Sequence, residues 1–282
     1  MPKTTFDELL DAGVHFGHLR RKWNPNMAPY IFTEKKGIHI IDLNKTVVKL
    51  DQAASAMKQI AMSGKKIMFV ATKKQAKDIV SERVKAINMP FVTERWSGGM
   101  LTNFATIRKS VRKMTQIEKM KTDGTFDTMS KRERLFKTRQ KAKLEKNLGS
   151  IAELTRLPAA LFVVDILKEH IAVAEANKLG IPVFAMVDTN SDPTKVEFAI
   201  PSNDDASKSI SKILDVVCEA VAEGLSERKA EKEKKSADQA KAEEKKKAAA
   251  TKVEVVEEAP AVEAAAEAAP AAKPAKEEKS EG

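Results

Sequence analysis

The chain is predicted to fold as an α/β domain built on a five-stranded parallel sheet. Two observations carry this: five short apolar runs rich in Val, Ile and Phe, and amphipathic helical patterns between them. Strands buried on both faces read as continuous apolar runs. Their alternation with helices implies parallel pairing, with helices covering the sheet.

The strands are expected at "KIMFVAT" (66–72), "FVTE" (91–94), "ALFVVD" (160–165), "PVFAMVD" (182–188) and "VEFAIP" (196–201). Between the first two, "KKQAKDIVSERVKAINM" places apolar residues at 76, 79/80, 84 and 87, one helical face. "KEHIAVAEANKLG" (168–180) reads as a helix stopped by glycine, after which Pro182 opens the next strand. "DDASKSISKILDVVCEAVAEG" begins with aspartates where a helix N-terminus favours negative charge.

One segment breaks the alternation. Residues 103–156 contain no strand pattern but two apolar stripes, Ile107, Val111, Met114 and Ile117, then Leu144, Leu148, Ile151 and Leu154. "KTDGTFDTMS" supplies a turn between them, and Ser130 with Glu133 has the spacing of a capping box. This is a helical hairpin inserted into a globular domain formed by 1–102 and 157–225. From residue 226 the composition shifts to Ala, Glu and Lys with no aromatic residue, so 226–282 is expected to be a disordered tail. Its first part, to about residue 250, has the helix propensity to continue the preceding helix.

The net charge is +10, which points to a polyanionic partner. Residues 1–225 carry 37 basic and 26 acidic residues, and 103–156 alone carry 15 against 6. The basicity is therefore concentrated on the hairpin. A single cysteine, Cys218, lies among Leu214, Val217 and Val221, which excludes a disulfide framework and favours the cytosol. "MPKTTFDELL" lacks the layout of a signal peptide, and no apolar run approaches the ~20 residues of a membrane span.

Enzyme classes fare poorly. The loops after strands 66–72, 160–165 and 182–188 contain no glycine, and no Lys-Ser/Thr follows Gly98-Gly99 as a phosphate-binding loop requires. There is no G-x-S-x-G elbow. Of the histidines, His15 and His18 offer metal nitrogens, and Asp188, Asp204 and Asp205 should reach them because their strands end on one edge. Zinc or magnesium would suit such a group. The alternative is that the histidines bond locally while the aspartates cap turns and a helix.

RNA chemistry is better represented. "HLRRKWNPNMAPYIFTEKK" (18–36) holds five basic residues with Trp23 and Tyr30 and is broken by Pro25 and Pro29. An extended path would let arginines reach phosphates while a ring stacks on a base, unless Trp23 simply fills the core. Arg95-Trp96 repeats the pairing, followed by Gly98-Gly99, whose backbone N–H groups a sugar–phosphate chain could approach, though such a pair also serves as a plain turn. A nucleotide- or metal-dependent enzyme on the same sheet, and a free RNA-binding regulator, are the rival readings.

The segments "LLDAGVHFGHLRRKWNPNMAPYIF", "GIHIIDLNKT", "ERWSGGMLTNF" and "LPAALFVVDILKEHIAVAEANKLGIPVFAMVDTNSDP" closely resemble the bacterial small-subunit ribosomal protein S2 family. The resemblance runs from about residue 3 to 225. It implies a flavodoxin-like three-layer sandwich with a protruding coiled-coil hairpin and no catalytic activity. It implies binding of 16S ribosomal RNA on the solvent side where head meets body, among neighbouring small-subunit proteins, on the cytoplasmic ribosome. It also implies a part in docking ribosomal protein S1, which recruits messenger RNA, and neither a membrane nor a small-molecule substrate. Carried onto this chain, the RNA contacts are Arg20, Arg21, Lys22, Trp23 and Asn24, then Arg95 and Trp96, with Arg108, Lys109, Arg112 and Lys113 on the hairpin. The Ala/Glu/Lys tail departs from the family, and nothing about its role transfers.

Overall fold

A computed structural model describes the backbone of residues 4–254 and the side chains of 4–233. The chain divides into two units, 1–231 and 232–282. In the first, after three N-terminal strands β1 (Phe16–Leu19), β2 (Ile31–Lys35) and β3 (Ile38–Ile41), all five expected strands form: β4 (Ile67–Val70), β5 (Phe91–Val92), β6 (Ala160–Val164), β7 (Val183–Val187) and β8 (Phe198–Pro201). They make one parallel sheet in the order β5-β4-β6-β7-β8. That is the 2-1-3-4-5 order of flavodoxin-like folds.

Register aligns a phenylalanine from every strand. Phe91 pairs with Phe69, Phe69 with Phe162, Phe162 with Phe184, and Phe184 with Phe198. Phe184 and Phe198 stack at 4.4 Å, and Phe69 meets Phe162 at 5.4 Å. Side chains alternate across a strand, so this row lies on one face. There it packs under α2 (Leu43–Met62), α3 (Lys74–Ala86) and α7 (Ser207–Glu254). The other face, with Met68, Val70, Leu161, Val163 and Ala185, is covered by α6 (His170–Lys178), the loop at 96–101 and the base of the hairpin.

Helix α2, twenty residues long and without a counterpart among the expected elements, is capped by Asp42, whose side chain accepts from Asn44 N. Its buried face includes Ala53, Ala54 and Ala61, and at Ala61 it is small enough for α7 to cross closely. A Cβ on Gly224 of α7 would stand 2.5 Å from the Lys58 carbonyl. The hairpin consists of α4 (Phe104–Thr122) and α5 (Lys131–Leu148), and the Ser130–Glu133 capping box is formed. Helix α7 runs on through the composition change at Ser226 to Glu254, the continuation its composition allows. The rest of the tail, 255–282, lies outside the described residues.

The basic stretch at 18–36 is not one extended strap. With α1 (Phe6–Asp11) ahead of it, the N-terminus folds into a small antiparallel sheet of β1 (Phe16–Leu19), β2 (Ile31–Lys35) and β3 (Ile38–Ile41), ordered β1-β3-β2. Two 3₁₀ turns, Arg20–Lys22 and Pro25–Tyr30, connect β1 to β2. Prolines at 25 and 29 favour this broken path because they cannot donate to a ladder. The small sheet docks on the loop after β7. His18 N donates to Thr189 Oγ1 (2.8 Å) and Asn24 N to the Thr189 carbonyl (2.8 Å). The approach is close enough that a Cβ on Gly17 would lie 2.6 Å from Thr189 Cγ2.

Candidate nucleic-acid interface

Of the expected RNA contacts, one group reaches solvent and another is consumed by the fold. In the turn after β1, Arg21, Lys22 and Trp23 are exposed, and Arg20 is exposed but pairs with Glu34 on β2 (3.2 Å). Trp23 leans over His39, ring centroids 5.3 Å apart, and keeps 38 % of its surface open. It does not fill the core. Arg95 is exposed after β5. Because Thr189 follows β7, the basic turn and Arg95 both lie at the carboxyl edge of the parallel sheet. Lys109, Arg112 and Lys113 are exposed on α4. Among the described residues, Arg21, Lys22, Arg95, Lys109, Arg112 and Lys113 have no carboxylate within ion-pair distance.

Three expectations need correction. Trp96 is 7 % exposed, and its indole N–H donates to Glu175 Oε1 at 3.2 Å, so it offers no free face for a base. Asn24 is a cap: its side chain accepts from Asn26 N (2.9 Å) and starts the second 3₁₀ turn. Arg108 faces inward, donating to the carbonyls of Ala152 (3.3 Å) and Leu154 (2.9 Å), and so ties the first hairpin helix to the returning chain.

The Gly98-Gly99 loop also turns inward. Glu175, buried on α6, takes Gly99 N at 2.7 Å on Oε1. On Oε2 it takes Leu101 N at 2.9 Å, Thr102 N at 3.1 Å and Thr102 Oγ1 at 3.2 Å. The loop therefore does cradle an anion, but the anion is the chain's own carboxylate. Gly99 has φ +83°, a conformation that glycine adopts at little cost. Burial pushes the Glu175 carboxyl up, yet the backbone donors at Thr102, Leu101 and Gly99 outweigh it and hold the group below its ordinary range. In the sequence Glu175 leaves one trace, an acid inside the apolar pattern "IAVAEA".

The candidate metal ligands do converge. His18 Nδ1 lies 2.8 Å from Asp188 Oδ2, and His18 Nε2 lies 3.3 Å from Asp205 Oδ2. Asp204 is fully buried beside them. His15 is not in this group and instead packs against Phe16 at 4.0 Å. Two residues that the sequence did not offer complete the cluster. Lys73, just after β4, reaches Asp204 (2.8 Å), Asp205 (2.7 Å) and Asp165 (3.3 Å), the last at the end of β6. The hydrogen bond to Asp188 raises the His18 pKa. Burial together with the Asp165 and Asp188 charges pushes Asp204 up to about 7. Alongside, Thr72 N donates to Glu169 Oε1 at 2.9 Å. The crevice between β4 and β6, where sheets of this order take their ligands, is thus lined by mutual ion pairs and hydrogen bonds of the chain itself.

Comparison with known proteins identifies the family. A family model described as ribosomal protein S2 matches residues 9–224. The small ribosomal subunit protein uS2 of Phocaeicola vulgatus is 69% identical over 232 residues, covering 82% of this chain and 83% of the relative. The uS2 of Bacteroides fragilis is 68% identical over 232 residues, 82% and 84% of the two chains. That of Flavobacterium johnsoniae is 66% identical over 249 residues, 88% of this chain and 98% of the relative. With the family model spanning most of the chain and identities this high, the chain belongs to the ribosomal protein S2 family.

Proposed function

We propose that this protein is a non-catalytic structural component of the small ribosomal subunit, holding ribosomal RNA by its backbone at two places. The first is the carboxyl edge of the sheet, with Arg21, Lys22, Trp23 and Arg95, where Arg20 joins by exchanging Glu34 for phosphate. The second is the outer face of α4, with Lys109, Arg112 and Lys113. The observation that carries this reading is that six exposed cations in these two places have no carboxylate partner, whereas the more buried Lys73 is paired with three aspartates. Arg108 and Trp96 act behind the interface, fixing the hairpin base and the Arg95 loop.

Contacts of this kind position a protein on RNA shape and phosphates and carry little base readout. Family membership supports the finer placement: 16S RNA at the head–body junction on the solvent side, beside other small-subunit proteins and the docking site of ribosomal protein S1. It also supports a location on cytoplasmic ribosomes. No helix among the described residues is long and apolar enough to cross a membrane.

Sedimentation of a cell lysate through sucrose tests the reading. The protein is expected with the small subunit at moderate salt and to be released at high salt. Recovery of nearly all of it at the top of the gradient at moderate salt would overturn the assignment.

A further inference from the structure

The amino edge of the main sheet lies at the opposite end of the strands from Arg21 and Arg95. There a cleft of about 480 Å³ opens between the loops that lead into β4 and β6. Backbone bonds fix its walls: Ala159 N donates to the Lys66 carbonyl (2.9 Å) and Phe69 N to the Pro90 carbonyl (3.0 Å). The floor is apolar. Met89, Pro90 and Leu154 are buried there, and Leu157 stands 44 % exposed beside them. No aromatic residue lines the cleft.

The rim is basic. Lys65, Lys66 and Arg156 line the cleft and are exposed. Arg228 of α7 adds a fourth cation, because its guanidinium lies against Gly64, where any Cβ would overlap it. Lys66 is accounted for by the fold: it donates to the Asn88 carbonyl (2.6 Å), just past the end of α3, where the helix dipole favours a cation. Among the described residues, Lys65, Arg156 and Arg228 make no ion pair and no side-chain hydrogen bond. Arg228 is half-buried, so its donors are held at the cleft wall with no acceptor from the chain. A single carboxylate, that of Glu153, lines the same cleft.

We propose that this cleft docks an acidic, aliphatic segment of a partner protein. Its carboxylates meet Lys65, Arg156 and Arg228, and an aliphatic side chain covers Leu154 and Leu157. Charge complementarity argues for the carboxylates, since four cations face one acid and a guanidinium grips a carboxylate with two parallel bonds. The floor argues for protein over RNA. Phosphates on the rim would leave the leucines uncovered, and a base would find no ring to stack on. The volume lies in the range of sites that enclose a ligand, about 300–1,000 Å³. Strands of four or five residues hold the two edges about 15 Å apart, so RNA at the carboxyl edge leaves this cleft free. The inference does not rest on the RNA reading.

The test is photo-crosslinking in living cells, with a diazirine-bearing amino acid in place of Leu157 in the full-length chain. A diazirine reacts with protein and nucleic acid alike, and mass spectrometry identifies the adduct. The expected product is a protein crosslinked within a segment rich in Asp, Glu and aliphatic residues. Arg156→Glu should cut its yield at least fivefold, whereas Lys208→Glu, the same change of charge at the start of α7, should leave it unchanged. Thermal melting checks that Arg156→Glu folds; should it not, Lys65→Glu decides by the same fivefold criterion. An adduct with RNA, no adduct at all, or a partner segment without carboxylates would overturn the proposal. So would a yield that Arg156→Glu leaves intact or that Lys208→Glu lowers equally. Sedimentation of the same lysate is scored separately: a protein adduct confined to the top of the gradient would refute the ribosomal assignment and leave the cleft's role standing.

Discussion

The carboxyl edge of the sheet and the helical hairpin are both dense in charge, but they use it in opposite ways. At the edge, Lys73 meets three aspartates, His18 bridges two, and Glu175 collects five donors from the loop that carries Trp96 and Thr102. On the hairpin, Lys109, Arg112 and Lys113 have no such partners, and only part of the surface is balanced, as where Lys141 reaches Glu118 at 2.9 Å. The same contrast separates the two tryptophans: Trp96 is sealed in, while Trp23 stays open above His39. A basic or aromatic residue thus shows a binding surface only once its partners are known. Buried charge is structural because water cannot replace a lost partner; exposed unpaired charge is available.

Five experiments bear on this contrast. The largest effect is expected at Glu175. Glu175→Ala strands three backbone N–H groups, an indole and a hydroxyl, and should cost about 3–5 kcal/mol in urea denaturation. A cost below about 1 kcal/mol would show that the loop is held by other means. Glu175→Gln gives a pH test. The carboxyl is held below its ordinary 4.5, so its stabilisation is present above that value and disappears as pH falls through the lower folded value. The deficit of Glu175→Gln against wild type should therefore be full at pH 7 and shrink in acid below about 4.5.

The tryptophans come next. Trp96→Ala should destabilise the fold by about 3–5 kcal/mol. Trp23→Ala should cost far less stability and instead weaken RNA binding, by about 1–3 kcal/mol if its ring stacks on a base. Equal thermal shifts for the two variants would erase the distinction. Packing between the small and main sheets is tested by Gly17→Ala, whose methyl would press on Thr189 and on the His39 carbonyl. A loss of about 1–3 kcal/mol is expected, read by thermal melting.

The smallest stability effect belongs to the hairpin. Lys109→Ala, Arg112→Ala and Lys113→Ala should each stay within about 0.5 kcal/mol of wild type in denaturation. Combined, they should lower the salt dependence of RNA binding by up to about 1 per lost phosphate contact. Filter binding across a salt series measures this, and an unchanged slope would remove the hairpin from the interface.

Much of the fold was legible because buried parallel strands leave a signature that no surface element imitates. All five of their apolar runs became strands, and the stripe at 107–117 lies on α4, whereas of the second stripe only Leu144 and Leu148 lie on α5, with Ile151 and Leu154 in the chain that follows it. Helix α2 was not read, since three of its seven buried residues are alanine and one is threonine, which gives little hydrophobic contrast. The N-terminal sheet was not read either: its strands are four or five residues long and half-exposed, so they lack a strong alternation.

The site was legible only in part. Charge composition marked the hairpin, and the ends of β7 and β8 marked the aspartates that meet His18. By itself the sequence determined which segments are buried and where positive charge collects, because burial and charge are properties of local composition. Only the tertiary structure decided which charges face outward. Glu175 finds its donors more than seventy residues upstream, and Lys73 finds Asp204 131 residues away, through crossovers that bring distant strand ends to one edge. Pairing at that distance depends on topology, which no spacing along the chain encodes.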